Sequence, residues 1–572
     1  MSKPDIADVF PRGLLRPELF LGVTASVTAR MVGVNLSEAG RPSGTHFTGG
    51  RYGRGEVGEF VLVEGQQSLL LGRISEIRLR EPERRSLTRD FSGDNELAAL
   101  GQIQLLGCVA IDTLRVTAGV DAYPRLGDRI YAAPHSFIAL LPQLMEKEEL
   151  EVSSVTLALG SIDVAMESAV TIKPERLFAR HCAILGATGG GKSWTTARII
   201  EECLKHNCKL VLLDATGEYR DFKEEEYIMN CHLGEPVKTS EGSVECVLPP
   251  HSFLESDFIA LFEPSGKVQG PKLKAAIESL RLVYIDESLA TDGLLKKEHR
   301  EKIPLLREFH RHALRIQDPS QPFAVKRLPE QLVNECVEDF DEKKYGKKSE
   351  RDVGYCAALL ARINGAFRSS ALKCVFGDQV DTTLTDQIEE FHTGKKRLLR
   401  ICLCGIGYEY KAREIIANVV GRSLLTRARQ GHFQHKPTIV FVDEAHNFLG
   451  QQIGSEDHFA KLDAFELIAK EGRKYGLNVC LATQRPRDIT EGVLSQMGTL
   501  IVHRLTNDRD RDVVERACGE IDRAASAFLP NLRPGEAAII GTDFPIPLTL
   551  QIHKPAIRPQ SDGADYQQRW RA

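Results

Sequence analysis

The residues best suited to chemistry in this chain form a glycine-rich segment, Gly186-Ala187-Thr188-Gly189-Gly190-Gly191-Lys192-Ser193. A short apolar run at residues 182–185 precedes it, and a run with helical spacing begins at Trp194. This order of strand, glycine loop and helix is that of a P-loop, whose backbone N–H groups cradle a nucleotide polyphosphate. We therefore expect this segment to bind a nucleoside triphosphate, with Lys192 on the β- and γ-phosphates and the Ser193 hydroxyl on Mg²⁺. The candidate binding residues are Gly186, Thr188, Gly189, Gly190, Gly191, Lys192, Ser193 and Trp194.

A second candidate group lies at the end of the apolar run 438–442, where Asp443-Glu444-Ala445-His446 follows. An aspartate at the tip of such a strand can hold Mg²⁺ together with Ser193. A glutamate directly after it is placed to orient and deprotonate the water that attacks the γ-phosphate. The pair predicts hydrolysis of the triphosphate. The alternative is that Asp443 and Glu444 merely cap a helix after a buried strand.

Polar and basic residues around the next apolar run complete the predicted catalytic set. Gln484 ends the run and is expected to sense the γ-phosphate or the attacking water, although it could simply cap the turn at Arg485-Pro486. A guanidinium stabilises the negative charge that develops during hydrolysis. Arg473, before this strand, and Arg180, before the P-loop strand, are the candidates, and each could instead pair with a surface carboxylate. An arginine supplied by a neighbouring subunit would complete the site only in an oligomer.

The pattern of apolar runs predicts the elements that position these residues. Short strand-like runs at 59–63, 68–72, 103–107 and 129–131 predict a small N-terminal β-barrel or sandwich. From about residue 175, strands alternate with helices, which predicts an α/β fold with a parallel sheet. Between about 250 and 380 only helical spacing remains, which predicts a helical insertion in the nucleotide-binding domain.

Composition sets the class of protein. The 572 residues carry a net charge of −5, with 42% hydrophobic and 27% charged residues, as in ordinary globular proteins. The 13 cysteines include no C-x-x-C pair, so no zinc site is indicated, and scattered free thiols are typical of a reducing cytosol. No signal peptide or bilayer-spanning run is present. We expect a cytoplasmic protein with no membrane partner.

These motifs, taken in order, resemble those of the HerA (FtsK-related) family of DNA translocases. The resemblance is carried by the segments 180–193 and 214–219, by Asp443-Glu444-Ala445-His446, and by the segments 471–477, 481–486 and 494–496. It covers nearly the whole chain except the helical insertion. One departure is Gly190, where the family commonly has serine.

The resemblance implies a barrel like that of rotary ATP synthases at 1–170, and a RecA-like P-loop ATPase domain at 171–250 and 381–552. The insertion would be 251–380 and a C-terminal arm 553–572. It implies a homohexamer that uses ATP and Mg²⁺ to translocate double-stranded DNA, with Arg473 or Arg180 acting across the subunit interface. It also implies an acidic pair near the nucleotide, Asp214 and Glu218, and, as in bacterial relatives, a nuclease or sirtuin-like effector partner in DNA processing or phage defence.

Physical support for DNA binding is weaker than support for ATP binding. The candidates for lining a channel are basic residues near the sensor strand: Lys461, Lys470, Lys474, Arg485 and Arg487. In a ring each residue is repeated, so weak phosphate contacts would add up. Individually, each is better explained as solvated surface charge, so the expectation of DNA binding rests mainly on the resemblance.

Two other functions remain open on the sequence. The ring could be an ATP-dependent scaffold that assembles and regulates an effector with little translocation, which fits the lack of a second catalytic centre. A Rho-like RNA motor or a rotary ATPase subunit would share the barrel and the P-loop. The position of Glu444 directly after Asp443, and the motif from Asp214 to Tyr219, count against that second alternative.

Overall fold

A computed structural model describes residues 13–29, 31–37, 45–47, 50–53, 55–79, 99–146, 154–162, 169–223, 225–339, 341–377, 381–449, 451–454, 459–517, 527–561 and 570–571. Parts of the predicted N-terminal domain, such as residues 1–12 and 80–98, lie outside the described residues. So do residues 562–569 and 572 of the predicted C-terminal arm.

The strands in chain order are β1 Phe20–Val27, β2 Met31–Leu36, β3 Thr45–Phe47, β4 Gly50–Tyr52, β5 Phe60–Val63, β6 Ser68–Leu79, β7 Ala99–Ala110, β8 Val116–Ala118, β9 Arg129–Ala132, β10 Leu157–Ser161, β11 Ala169–Ile172, β12 His181–Leu185, β13 Lys209–Asp214, β14 Ile228–Leu233, β15 Val244–Cys246, β16 Leu398–Cys402, β17 Thr438–Val442, β18 Gln451–Gly454, β19 Phe459–Leu462, β20 Leu477–Thr483, β21 Met497–Val502, β22 Glu536–Gly541 and β23 Phe544–Ile552.

The α-helices of the described residues are α1 His135–Leu144, α2 Pro174–Phe178, α3 Lys192–Leu204, α4 Glu255–Phe262, α5 Gly266–Ile285, α6 Lys302–Arg311, α7 Ala313–Ile316, α8 Leu328–Asn334, α9 Glu350–Arg368, α10 Lys373–Phe376, α11 Leu384–Thr393, α12 Ala412–Arg429, α13 Ala464–Glu471, α14 Glu491–Leu494 and α15 Asp508–Ala517. None of them combines the length and the apolar character that crossing a bilayer requires.

The chain divides into two compact units. The first unit comprises Met1–His206 and Met497–Ala556, and the second comprises Asn207–Gln496 and Ile557–Ala572.

The first unit begins with the predicted β-barrel. Its strands follow the order β2-β1-β9-β5-β6-β7, and pairing of β2 with β7 closes the ring, while β8 extends β7. Alternation along β2 buries Val32, Val34 and Leu36, as expected for a strand with one face on a core. Strands β3 and β4 pair with each other as a separate antiparallel hairpin. A further six strands of this unit follow the order β11-β10-β23-β22-β21-β12, with β12 parallel to β21. Helix α3 packs on β10 and β12.

The second unit carries six parallel strands in the order β20-β17-β13-β16-β14-β15. Strand β13 is buried along its whole length, which is typical of a parallel strand covered on both faces. Between β15 and β16 the described residues form helices α4–α11. Leu282, Leu295, Leu305 and Ile316 make a separate small core there. The predicted α/β fold, with an N-terminal barrel, a parallel sheet and a helical insertion, is confirmed.

Candidate nucleotide loop and carboxylate cluster

The nucleotide loop lies in the first unit, directly after the fully buried strand β12. Gly189 (φ +74°) and Gly191 (φ +112°) adopt left-handed backbone conformations that residues with a side chain rarely adopt. The Gly190 N–H donates to the Ala187 carbonyl at 3.0 Å, and the Thr195 N–H donates to the Gly191 carbonyl at 2.9 Å. These bonds fold the loop into a compact turn that leads directly into α3.

Lys192, at the first position of α3, is buried, and its Nζ donates to the Ala187 carbonyl at 3.2 Å. The ammonium is therefore held on the loop that the sequence predicts to surround the phosphates. An anionic phosphate oxygen is a stronger acceptor for an ammonium than a neutral carbonyl. Ser193 and Trp194 follow on the first turn of α3 and are half-buried, whereas Thr188 is exposed on the loop.

A group of four acidic residues lies in the second unit, and we call it the carboxylate cluster. Its members are Asp214, Glu218, Asp443 and Glu444. Asp443 follows β17 and is 5% exposed. Burial, together with the neighbouring charges of Glu218, Asp214 and Glu444, raises the pKa of Asp443 well above its usual range. Its Oδ2 is buried with no hydrogen-bond partner among the described residues. A buried carboxylate oxygen in this condition is costly without a cation.

Asp214 plays a structural part in this cluster. Its two oxygens accept hydrogen bonds from the backbone N–H groups of Gly217, Glu218 and Tyr219, at 2.7, 3.2 and 3.1 Å. Nε of Arg400 donates to Asp214 Oδ2 at 2.9 Å, and both side chains are completely buried. Asp214 therefore shapes the loop that carries Glu218, with its charge compensated by Arg400.

Glu218 is the member of the acidic pair that keeps a buried oxygen open. Its Oε2 makes no hydrogen bond within the described part of the chain. Among the neighbouring charges, that of Glu218 raises the pKa of Asp443 most. Oxygen donors are the ligands that Mg²⁺ prefers. The donor set of Asp443 and Glu218 thus fits Mg²⁺, whereas both oxygens of Asp214 already accept hydrogen bonds.

Glu444 is held in a fixed position at the end of β17. Its backbone is left-handed (φ +48°), a conformation that non-glycine residues adopt at a cost of about 1–3 kcal/mol and that clusters at functional sites. Gln484 Nε2 donates to Glu444 Oε1 at 3.4 Å. His446 Nδ1 lies 3.3 Å from Glu444 Oε2 and 3.3 Å from Thr483 Oγ1. The structure therefore brings together the predicted base and the predicted sensor.

The two candidate arginines lie at the opposite ends of their strands from the catalytic residues. Arg180 precedes β12, where it donates to Thr542 Oγ1 at 2.8 Å and lies 3.5 Å from Asp543. The loop begins after the other end of that strand, about 16 Å away at 3.3 Å per residue. Arg473 is exposed before β20, whereas Gln484 follows it. A charge-stabilising role for either arginine thus stays a prediction for a neighbouring subunit.

The candidate DNA contacts are all exposed in the second unit. Lys461 pairs with Glu466 at 2.8 Å, and Arg485 and Arg487 each lie 3.8 Å from Asp488. Lys470 lies in the last turn of α13, and Lys474 lies in the 3₁₀ turn that follows. Nearby carboxylates thus partly compensate three of the five positive charges.

Sequence reasoning missed two residues of these sites. Arg400 lies within the apolar strand Leu398-Leu399-Arg400-Ile401-Cys402, and His503 directly follows the apolar run 500–502. A charged or titratable residue in a fully buried strand requires a buried partner. That requirement is a signal that could have drawn attention to both residues.

A sequence model of the central domain of the helicase HerA matches residues 157–353. Over this segment the chain is similar to the HerA helicases. Among its relatives, a probable helicase of Methanocaldococcus jannaschii is 25% identical, covering 70% of this chain and 71% of that protein. A probable DNA double-strand break repair helicase HerA of the same organism is 26% identical, covering 67% of this chain and 74% of the relative. The HerA of Pyrococcus furiosus is 24% identical over 75% and 73%.

Two solved structures are also similar to this chain. They are VirB4 of Thermoanaerobacter pseudethanolicus (13% identity, 73% of this chain and 99% of that chain, TM-score 0.43) and the bacterial conjugative coupling protein TrwB (14% identity, 74% and 94%, TM-score 0.43).

Proposed function

We propose that this protein is an ATP-driven motor that moves along double-stranded DNA. The observation that carries the proposal is the carboxylate cluster, in which Asp443 lies buried with an open oxygen beside the fixed Glu444. Such an arrangement is costly for folding and useful for Mg²⁺-dependent hydrolysis. The similarity to the HerA helicases supports the motor function, because the relatives named above carry the name helicase.

In this proposal the nucleotide loop binds ATP through its N–H groups and Lys192. Ser193 of the loop, and Asp443 and Glu218 of the carboxylate cluster, are the residues that would offer oxygen ligands to Mg²⁺, and the ion would supply positive charge to the phosphate oxygens. Glu444 accepts a proton from the attacking water, and Gln484 Nε2 holds the carboxylate in place by donating to Glu444 Oε1. Protein dipoles and charges that are already in place need little reorganisation at the moment of reaction. The fixed contacts of Glu444 support its assignment as the base.

The test is ATP hydrolysis with and without double-stranded DNA. We expect DNA to increase the rate in the wild type, and Lys192→Ala to abolish hydrolysis at every DNA concentration. Lys205→Ala is a matched control, because Lys205 follows the last residue of the same helix and is exposed on the surface. Equal hydrolysis by Lys192→Ala and the wild type would contradict the proposal.

We also propose that the chain works as a cytoplasmic homohexamer in which Arg473 or Arg180 reaches the nucleotide of a neighbour. Their positions before β20 and β12 support this role, since each lies far from the catalytic residues that follow its own strand. A nuclease or sirtuin-like effector partner is proposed from the family resemblance. Mass measurements with a non-hydrolysable ATP analogue and Mg²⁺ test the hexamer. Assembled rings that hydrolyse ATP at the same rate with and without DNA would favour the scaffold alternative.

A further inference from the structure

His503 lies directly under the nucleotide loop, at the end of β21 in the first unit. Its side chain is completely buried, and its backbone N–H donates to the Leu185 carbonyl at 2.7 Å. Its Nε2 lies 2.8 Å from Thr195 Oγ1, and its Nδ1 lies 2.8 Å from the Glu536 carbonyl oxygen. Both ring nitrogens are thus engaged, one by the helix that follows the loop and one by strand β22.

These two contacts determine the tautomer of the imidazole. A carbonyl oxygen can only accept, so Nδ1 must carry the hydrogen and donate to Glu536. Nε2 is then an acceptor, and the Thr195 hydroxyl donates to it. Burial and the positive charge of Lys192 lower the pKa of His503 to about 4, so the ring is neutral near pH 7. His503 therefore acts as a fixed hydrogen-bonding bridge and not as a proton carrier.

The imidazole also accounts for the small residues of the loop. A Cβ atom on Gly186 would lie 2.6 Å from the Cβ of His503, and one on Gly190 would lie 3.4 Å from the same atom. A Cβ on Gly191 would lie 3.2 Å from the His503 Cε1. Three loop glycines thus pack against one side chain, and the course of the loop depends on where that side chain is held.

We propose that His503 is a positioning residue for ATP. Its bond to Thr195 fixes the first turn of α3, which carries Lys192 and Ser193, and its bond to Glu536 anchors that turn to β22. Contact of the His503 side chain with Gly186, Gly190 and Gly191 fixes the position of the loop backbone relative to the end of β21. The inference rests on the proposed function, because it assigns a role in binding the nucleotide that the loop is proposed to hold.

The test compares kcat and KM for ATP in variants that remove one or both of these hydrogen bonds. Thr195→Val keeps the shape of the side chain and removes the hydroxyl, and His503→Phe keeps a ring and removes both bonds. We expect each to raise KM for ATP about tenfold, equivalent to roughly 1.4 kcal/mol, while kcat changes less than about threefold. Thr195→Ser and His503→Gln, which retain the donor and the acceptor, should restore most of the affinity.

Thr196→Val is the matched control. Thr196 is the next residue of the same helix, and its buried hydroxyl has no hydrogen-bond partner among the described residues. Its KM should equal that of the wild type. If Thr195→Val keeps the wild-type KM, or lowers only the melting temperature, the inference is overturned. Because Thr195→Val leaves His503 in place, it decides the question even if His503→Phe fails to fold.

The wild type and Lys192→Ala are measured in parallel to separate two kinds of failure. Hydrolysis by Lys192→Ala at the wild-type rate would overturn the proposed function and this inference with it. If the wild type hydrolyses ATP, Lys192→Ala does not, and the Thr195 and His503 variants keep the wild-type KM, only the inference about His503 is overturned.

Discussion

The nucleotide loop of the first unit and the carboxylate cluster of the second differ in how far their polar groups are satisfied. In the loop, Lys192 and the Gly190 N–H bond to Ala187, and both nitrogens of His503 are engaged. In the cluster, Asp443 Oδ2 and Glu218 Oε2 are buried without a hydrogen-bond partner in the described part of the chain. The loop is therefore prepared in advance by protein contacts, whereas the cluster needs a cation to balance its charge.

The largest expected effect concerns the chemistry of the cluster. Glu444→Gln keeps the size of the side chain and removes the base, so kcat for ATP hydrolysis should fall by about 10²–10⁴-fold. The affinity for ATP should change little, because binding is assigned to the loop. Steady-state hydrolysis and titration with a fluorescent ATP analogue measure the two quantities. Loss of ATP affinity in Glu444→Gln would contradict the assignment of binding to the loop and of chemistry to the cluster.

The second effect concerns the stability of the cluster. Arg400→Met leaves Asp214 as an uncompensated buried charge, which typically costs about 3–5 kcal/mol. Denaturant unfolding should show a loss of this size in the free energy of unfolding. Arg311→Met, on an exposed helix of the same unit, is the control and should change it by less than about 0.5 kcal/mol. A double variant with Asp214→Asn should lose less than Arg400→Met alone, and equal losses would argue against a direct pair.

A smaller effect of opposite sign is expected at Asp443. Its pKa is raised in the folded state, so its stabilising contribution is present below the unfolded pKa and is lost as the pH rises through the folded value. Without Mg²⁺, the free energy of unfolding of Asp443→Asn near pH 7 should therefore exceed that of the wild type by about 1–2 kcal/mol. Thermal unfolding should show this as a higher melting temperature. The difference should shrink toward acid pH. Lower stability of Asp443→Asn at neutral pH would contradict the repulsion within the cluster.

The smallest effect concerns DNA. Arg485→Gln with Arg487→Gln should weaken DNA binding several-fold and reduce the slope of log affinity against log salt by about one for each lost phosphate contact. Arg307→Gln is the control, since Arg307 is exposed on the helical insertion. Binding titrations at several salt concentrations measure the slope. An unchanged slope would exclude both arginines from the DNA interface.

The sequence predicts well what depends on backbone pattern. The alternation along β2, the apolar runs of β13 and β17, and the glycines before Lys192 correspond to period, burial and turn geometry, which are local properties. It did not predict the bond between Arg400 and Asp214, or the position of His503 under the loop. Those contacts join residues 186 and 308 positions apart, and pairing at such distances is decided by tertiary packing.

The central claim is that ATP hydrolysis moves the protein along double-stranded DNA. The most direct measurement is displacement of a third strand bound to a DNA duplex, followed with ATP and Mg²⁺ in the wild type and in Glu444→Gln. We predict that the wild type displaces the strand only when ATP is hydrolysed, and that Glu444→Gln displaces none. Hydrolysis of ATP by the wild type without displacement of the strand would contradict the claim.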